Sequence, residues 1–361
     1  MKKRGRGAII AVVLLALVLF GALYEGWSFV SNIFQPITIS QNTTLIIQSG
    51  EDSQGLAEDL LQKGLIHNEM AFRLWAKLQG LDAKLQTGAY ELTPGMTMDQ
   101  VITKLESGKS DGERLTVIEG WRIEQIANAI SILPHLTNFS EKTFLAYAKK
   151  PSTFPDVANY SFLKGVPSME GLLFPDTYLV PFDATAQQIL DQMLNEYGQA
   201  IQTNNLAASA AKHQLSTYQM TILASIVQRE VANDSEMPLV SGIYWNRIEN
   251  PNDETVSQLD SDPTVEYARD TDTPPSTPAG YWVDLNNSGT GDTVDPNSLW
   301  NTYTHKGWTP TPISSPGLAA LKAAANPTAT NCYFFLSTQK GAIVCSATYA
   351  GFQQLEAKYL N

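Results

Sequence analysis

The 361-residue sequence is poor in cysteine, in histidine and in positive charge. Its four histidines, His67, His135, His213 and His305, are scattered without ligand spacing, so neither a metal site nor a bound cofactor is expected. No Gly-x-Ser-x-Gly occurs, and Ser337-x-x-Lys340 falls at a predicted hairpin turn without companion motifs, which argues against serine chemistry. Lys plus Arg number 24 against 36 Asp plus Glu. Neutralising phosphates needs clustered cations, so nucleic acid is excluded as a partner. No Ala-x-Ala cleavage site follows the first long apolar run.

What is present describes a globular chain. It is 43% apolar and 17% charged, and at roughly 150 residues per domain its length suggests about two domains. Charge is unevenly placed. Lys2, Lys3, Arg4 and Arg6 precede an uncharged run from Ala8 to Tyr24, leaving 20 basic against 36 acidic residues beyond it, a net of −16. The 17-residue run is at the short end of a bilayer span, and Trp27 suits the water interface. Cations before the run and none just after it predict a single-pass anchor, N-terminus in the cytoplasm and body outside, rather than a cleaved signal. The acidic body then reads as solubility near an anionic surface.

The expected organisation is a tail over 1–7, a membrane helix over 8–24, a tether over 25–36, a small α+β unit over 37–110 and a larger mixed α/β domain over 111–361. One pattern recurs: apolar strand, turn, then apolar residues at offsets of 6, 7 and 10. It follows Gly50 (Leu56, Ala57, Leu60) and Gly120 (Ile126, Ala127, Ile130), and more loosely Gly95 (Val101, Ile102, Leu105) and Asp183 (Ile189, Leu190, Met193). Those offsets share one helix face, so each copy predicts strand, turn and amphipathic helix, and the fold class is α+β. A loop rich in Pro, Asp, Thr and Gly over 268–297 reads as a surface insertion in preference to a lid. Near the C-terminus, Cys332 and Cys345 flank an alternating segment that predicts a hairpin. They could form a disulfide in an oxidising compartment or be two small apolar strand residues.

The most informative stretch is Ser216 to Ile248. Ser216 can cap a helix whose apolar positions are Met220, Leu223, Ile226, Val227 and Val231. Glu230 lies at +7, +4 and +3 from Leu223, Ile226 and Val227, and so projects from the apolar face. Lost hydration would raise its pKa and suit it to general acid work, although an ion pair with a buried arginine such as Arg247 gives the same spacing. Further polar clusters are Glu170 and Tyr178 among apolar residues, Gln258, Asp262 and Thr264 at a helix start, where Asp262 or Thr264 could cap, and Asn301 and Tyr303 beside Trp300 and the Pro-rich 307–317. Trp, Tyr, Asn and Gln without cations suit a neutral sugar.

Leu223-Ala-Ser-Ile-Val-Gln-Arg-Glu230, Met169-Glu-Gly-Leu-Leu-Phe-Pro-Asp-Thr-Tyr178, Ser261-Asp-Pro-Thr-Val265, Asn301-Thr-Tyr303 and Pro312-Ile-Ser-Ser-Pro-Gly317 come in an order that resembles the MltG (YceG-like) endolytic murein transglycosylases. The likeness covers nearly the whole chain, including the anchor, Gly88-Ala-Tyr90 and Leu105-Glu-Ser-Gly108. It implies a bacterial inner-membrane enzyme with a LysM-like subdomain over 37–110 and a catalytic domain over 111–361. Such an enzyme cuts nascent peptidoglycan strands internally and leaves 1,6-anhydromuramic ends, with peptidoglycan synthases as candidate partners. The resemblance makes Glu230 the catalytic acid; related sequences often carry a second Glu two positions earlier, where this chain has Gln228. The hairpin departs, with Ile343 and Cys345 where a His and a Phe are expected, and Gly351-Phe352 where Glu-His is common. Glu170, Tyr178, Gln258, Asp262, Thr264, Asn301 and Tyr303 are the candidates to line the cleft. Competing readings are a two-carboxylate muramidase using Glu230 with Asp262 or Glu170, and a non-catalytic glycan-binding or divisome scaffold protein.

Overall fold

The computed structural model describes residues 4–47, 52–81, 84–85, 88–108, 112–231, 233–285, 294–339 and 341–360. The chain divides into two units, Met1–Glu113 with Pro181–Asp183, and Arg114–Val180 with Ala184–Asn361.

The first unit begins with helix α1, Arg4–Phe34. Its Leu17–Phe34 window has a mean hydropathy of 1.3 and is almost wholly exposed. Here the expected tether over 25–36 is corrected. The helix runs through it, because Phe29 and Ile33 continue an apolar face that packs into the unit's own core, where Ile33 is buried. Strand β1, Thr43–Ile47, pairs antiparallel with β2, Gly88–Leu92, with Leu45 opposite Tyr90. Between them lie α2, Ser53–Gln62, and α3, Glu69–Gln79, and α4, Met98–Glu106, follows. Asp52, Asn68 and Thr97 cap these three helices through their side chains, each satisfying a backbone N–H of the first turn. The predicted offsets hold: Leu56, Ala57 and Leu60 on α2, and Val101, Ile102 and Leu105 on α4, are buried. Gly50 itself lies outside the described residues.

Strand β3, Gly112–Thr116, pairs with β4, Thr177–Pro181, and residues 114–116 and 177–180 of these strands belong to the second unit. Helices α5 (Ile123–Ser131), α6 (Glu141–Lys149), α7 (Ala186–Thr203) and α8 (Leu206–Lys212) lead to α9, Thr217–Glu230. The repeat offsets are buried again, Ile126, Ala127 and Ile130 on α5 and Ile189, Leu190 and Met193 on α7. Ser216 caps α9 in a capping box with Gln219, as the sequence predicts. Every residue of α9 from Met220 to Val227 is buried, which makes it the central helix of this unit. It packs against α10, Met237–Glu249, and α12, Leu318–Ala325. The small side chains of α12, Ala320, Ala323, Ala324 and Ala325, let these helices approach closely. On α10, Gly242 faces the carbonyl oxygen of Thr328 so closely that a Cβ there would overlap it.

Helix α11, Asp262–Asp272, follows a loop of turns whose last residue, the N-cap Ser261, is extended. It takes up the start of the expected 268–297 loop, and Trp282 beyond it packs back onto the domain where a surface insertion was expected. The Trp282 backbone N–H donates to Asp270 Oδ2 at 3.0 Å and its indole Nε1–H to Gln125 Oε1 at 3.1 Å. Residues 286–293 of that segment lie outside the described residues. The hairpin forms as expected, β5 (Phe334–Ser337) antiparallel to β6 (Ile343–Ser346), with α13 (Tyr349–Tyr359) after it. Cys332 and Cys345 are joined, their Cα atoms 5.8 Å apart. They are not a directly opposed pair, because Phe335 is the residue opposite Cys345.

Candidate active site

Glu230 is the last residue of α9, where the helix leaves its buried course and the side chain reaches a cavity of about 540 Å³. Two hydroxyls converge on one carboxylate oxygen. Tyr244 Oη–H of α10 donates to Glu230 Oε1 at 2.6 Å, and Ser261 Oγ–H, just before α11, donates to the same atom at 2.5 Å. Burial pushes the Glu230 pKa above the ordinary carboxylate range, and nearby Asp262 adds to the rise; the two donors pull it down. The partial negative charge at a helix C-terminus acts in the same direction as burial.

Arg247 does not form the ion pair that the spacing also allowed. Its Nε–H donates to Tyr333 O at 2.7 Å and an Nη–H to Leu259 O, so its donors hold two backbone segments together. Gln228 likewise points away from Glu230, accepting from the Gly317 N–H at 2.8 Å. Arg229 stacks on the Trp282 ring at 4.2 Å.

The candidate lining residues separate into three groups. Asp262 and Tyr303 reach the cavity, and Tyr303 Oη–H donates to Asp262 Oδ1 at 2.8 Å. Burial and this partner push the Tyr303 phenol upward, so it stays a neutral donor. Gln258, Thr264 and Asn301 act one layer back. Gln258 Nε2–H donates to Tyr303 O at 2.7 Å, and Asn301 Oδ1 accepts from the Tyr303 N–H at 3.2 Å. Thr264, wholly buried, donates to Ser261 O at 2.7 Å and lies 2.7 Å from Thr302 Oγ1, which accepts from the Ser261 N–H. Neither Asp262 nor Thr264 caps α11, since its N-cap, Ser261, makes no side-chain capping bond. These bonds fix the loop that presents Ser261. Val256, Ser257 and Asp260 in that loop have positive φ of 46°, 67° and 47°. Such backbone costs about 1–3 kcal/mol per residue and persists where the surroundings over-determine it.

Glu170 and Tyr178 form the third group, and here the expectation is corrected: neither lines the cavity around Glu230. Glu170 is 1% exposed and accepts from the Ile123 N–H at the start of α5 (3.2 Å) and from Tyr267 Oη–H of α11 at 3.5 Å. Burial raises its pKa to about 8. Tyr178 is buried and donates to Phe174 O at 2.5 Å. An acid or phenol among apolar residues has the same sequence signature whether it faces a cleft or a core. The 312–317 segment is also scaffolding: Ile313 N–H donates to Ser225 Oγ at 3.0 Å and Ser314 Oγ–H to Ser225 O at 3.1 Å, which docks it on α9.

The residues that sequence reasoning passed over are the two donors to Glu230 and the far wall of the cavity, Phe334, Phe335, Leu336, Tyr349 and Phe352. Ser261 opens a motif that was already singled out, and Tyr244 lies within the Ser216–Ile248 stretch, but no periodicity pairs either with Glu230. Among the described residues no group of His, Cys, Asp and Glu could hold a metal ion.

The YceG-like family matches residues 45–358. An endolytic murein transglycosylase of Bacillus subtilis is 29% identical over 96% of this chain and 92% of that protein. One from Streptococcus pneumoniae is 25% identical over 97% of this chain, which spans 64% of that longer relative. The crystal structure of a yceG-like protein from Listeria monocytogenes aligns with a TM-score of 0.53 at 26% identity, covering 87% of this chain and 99% of that one. A family match over most of both units, with Glu230 and its donors inside it, settles the kinship: this chain belongs to the YceG-like family.

Proposed function

We propose that this protein is an endolytic murein transglycosylase that cleaves the β-1,4 bond between N-acetylmuramic acid and N-acetylglucosamine inside nascent glycan strands and leaves 1,6-anhydromuramic ends. The observation that carries the reading is Glu230 at the cavity with Oε1 held by two hydroxyl donors. The relatives named for this activity, matched over nearly the whole chain, support it.

A hydrolysing glycosidase needs a second carboxylate as nucleophile or base. In lytic cleavage the muramic C6 hydroxyl is a tethered nucleophile at high effective molarity, so one acid serves twice. Protonated Glu230 donates to the bridging oxygen as the C1–O bond breaks. The C6 oxygen bonds to C1, and the Glu230 carboxylate takes the C6 hydroxyl proton. No water is consumed and the acid is regenerated. Tyr244 and Ser261 donate to Oε1 throughout; their bonds strengthen as the carboxylate forms, when they are most needed. Oε2 is left to exchange the proton with substrate.

In this reading α1 anchors the protein in the bacterial inner membrane with the N-terminus in the cytoplasm and the acidic body outside, beside the peptidoglycan synthases whose product it cuts. The β1-α2-α3-β2 order of the first unit supports a LysM-like subdomain.

The deciding experiment digests purified un-crosslinked glycan strands and weighs the products. The expected result is anhydromuramic ends from wild type and none from Glu230→Gln. Reducing ends, heavier by one water, would instead establish a muramidase using Asp262 as second carboxylate. Glycan binding without any product would establish a scaffold.

A further inference from the structure

We propose that Tyr349 and Phe352, on the first turn of α13, form a stacking platform for the uncharged N-acetylglucosamine ring on the leaving side of the scissile bond. This rests on the transglycosylase reading and names the sugar that one wall of its site receives.

The platform is built before any ligand arrives. The Phe334 ring, buried, stands at its centre, with centroids 5.7 Å from Tyr349 and 6.0 Å from Phe352. Tyr349 and Phe352 stack on one another at 6.0 Å with 28° between ring planes. Thr348 caps α13 by accepting from the Gly351 N–H at 3.2 Å, and the Tyr349 N–H donates to Glu254 Oε2 at 3.2 Å. Gly351 lets this turn lie against β6, since a Cβ there would run into Ser346 Oγ. The Cys332–Cys345 bond ties the hairpin beneath. Yet Tyr349 keeps 49% of its surface exposed, and both rings border the cavity that contains Glu230. A core would have covered them.

Charge selects the ring. Two carboxylates, Asp260 and Asp262, border the cavity beside the protonated Glu230, and among the described residues its one bordering cation, Arg247, spends donors on two backbone carbonyls. Arg247 also lies over the Tyr244 and Phe334 rings, at 5.5 and 5.6 Å. A carboxylate-bearing sugar or stem peptide therefore meets repulsion from Asp260 and Asp262 without a compensating cation among the described residues. Of the two alternating sugars, N-acetylglucosamine has no acidic substituent, and its apolar ring face suits an aromatic surface. In the bond to be cut it is the leaving sugar, next to the acid that protonates the bridging oxygen.

The test uses the full-length protein in nanodiscs. Tyr349→Ala and Phe352→Ala should each raise KM for glycan strands roughly 5- to 20-fold, with kcat within about two-fold. Tyr349→Leu, which keeps apolar bulk without a ring face, should behave as Tyr349→Ala does, and Tyr349→Phe should recover most of the lost affinity. Chitotetraose, a neutral N-acetylglucosamine oligomer, should bind wild type and Glu230→Gln but bind the Tyr349→Ala chain weakly by calorimetry. Unchanged KM in both alanine variants, a Tyr349→Leu that matches wild type, or tighter binding of a muramoyl peptide than of chitotetraose overturns the platform. If wild type makes no anhydro product the reaction assigned above fails, while the chitotetraose measurement still reads this wall on its own.

Discussion

Tyr244 Oη–H donates to Glu230 Oε1 across 2.6 Å, from the middle of α10 to the last residue of α9. This bond and its companion from Ser261 oppose the burial that raises the Glu230 pKa. Removing either donor by Tyr244→Phe or Ser261→Ala therefore pushes the pKa further up. A hydrogen bond to a charged group is worth about 1.5–3 kcal/mol, or roughly one to two pK units. The alkaline limb of kcat/KM should move upward by that amount. At the optimum kcat should fall roughly ten- to hundred-fold, because the carboxylate that must form is less stabilised. A pH–rate profile of each variant measures both effects, and a limb that stays in place would show that these hydroxyls do not govern the acid.

Glu170 gives a prediction about stability rather than rate. It is buried between α5 and α11, and its folded pKa of about 8 stands above the ordinary 4.5. The folded chain thus holds a proton that the unfolded chain releases. The stabilisation tied to that proton is fully present below about pH 4.5 and is lost as pH rises through about 8. Glu170→Gln keeps the shape and cannot ionise. The difference in urea-unfolding free energy between wild type and this variant should shift in the variant's favour from pH 5 to pH 9. A difference that is flat with pH would mean that Glu170 is ionised in the folded protein.

The same two sites show which parts of the structure the sequence makes legible. Glu230 could be found because helix geometry is local: its offsets from Leu223, Ile226 and Val227 determine the face it occupies. Its donors could not, because Ser261 is 31 positions away and joins it only through the tertiary packing of α11. Composition registers burial and not which cavity, if any, a buried group faces, so Glu170 and Tyr178 read as cleft residues in the sequence yet lie outside the cavity around Glu230. The extent of α1 is hidden from the sequence for a related reason. Polarity around Glu25 and Gly26 marks where a bilayer span could end, but a helix ends only where its backbone loses partners, and Ile33 packing in the first unit's core carries α1 to Phe34.

Gly242 on α10 tests how tightly the second unit's helices are held. The Thr328 N–H donates to Pro238 O at 2.9 Å, which fixes the segment whose carbonyl presses on Gly242. That obstacle is backbone and has no rotamer to change. Gly242→Ala should cost about 1–3 kcal/mol by overpacking, despite alanine's better helix propensity. Calorimetry would register this as a lower melting temperature. Asn246, one turn further along α10, donates to Thr330 O and Cys332 O, so displacement should reach the hairpin and raise KM as well. A variant as stable as wild type would mean that the 326–330 segment yields freely.

The Cys332–Cys345 bond closes a loop with a sequence separation of 13 that contains β5 and most of β6. Cross-linking a loop of this size restricts the unfolded chain by about 3 kcal/mol. Replacing both cysteines with serine should therefore lower the melting temperature of the second unit. Phe334 and Phe335 stand on the tied strand, and Phe335 packs edge-on against Tyr244 at 5.7 Å. Loosening the hairpin should thus raise KM for glycan more than it lowers kcat, since Glu230, Tyr244 and Ser261 all sit outside the closed loop. Adding dithiothreitol to wild type should reproduce both effects, and the double serine variant should not respond to it. A reductant response of equal size in the two proteins, or in neither, would show that the bond does not support this wall.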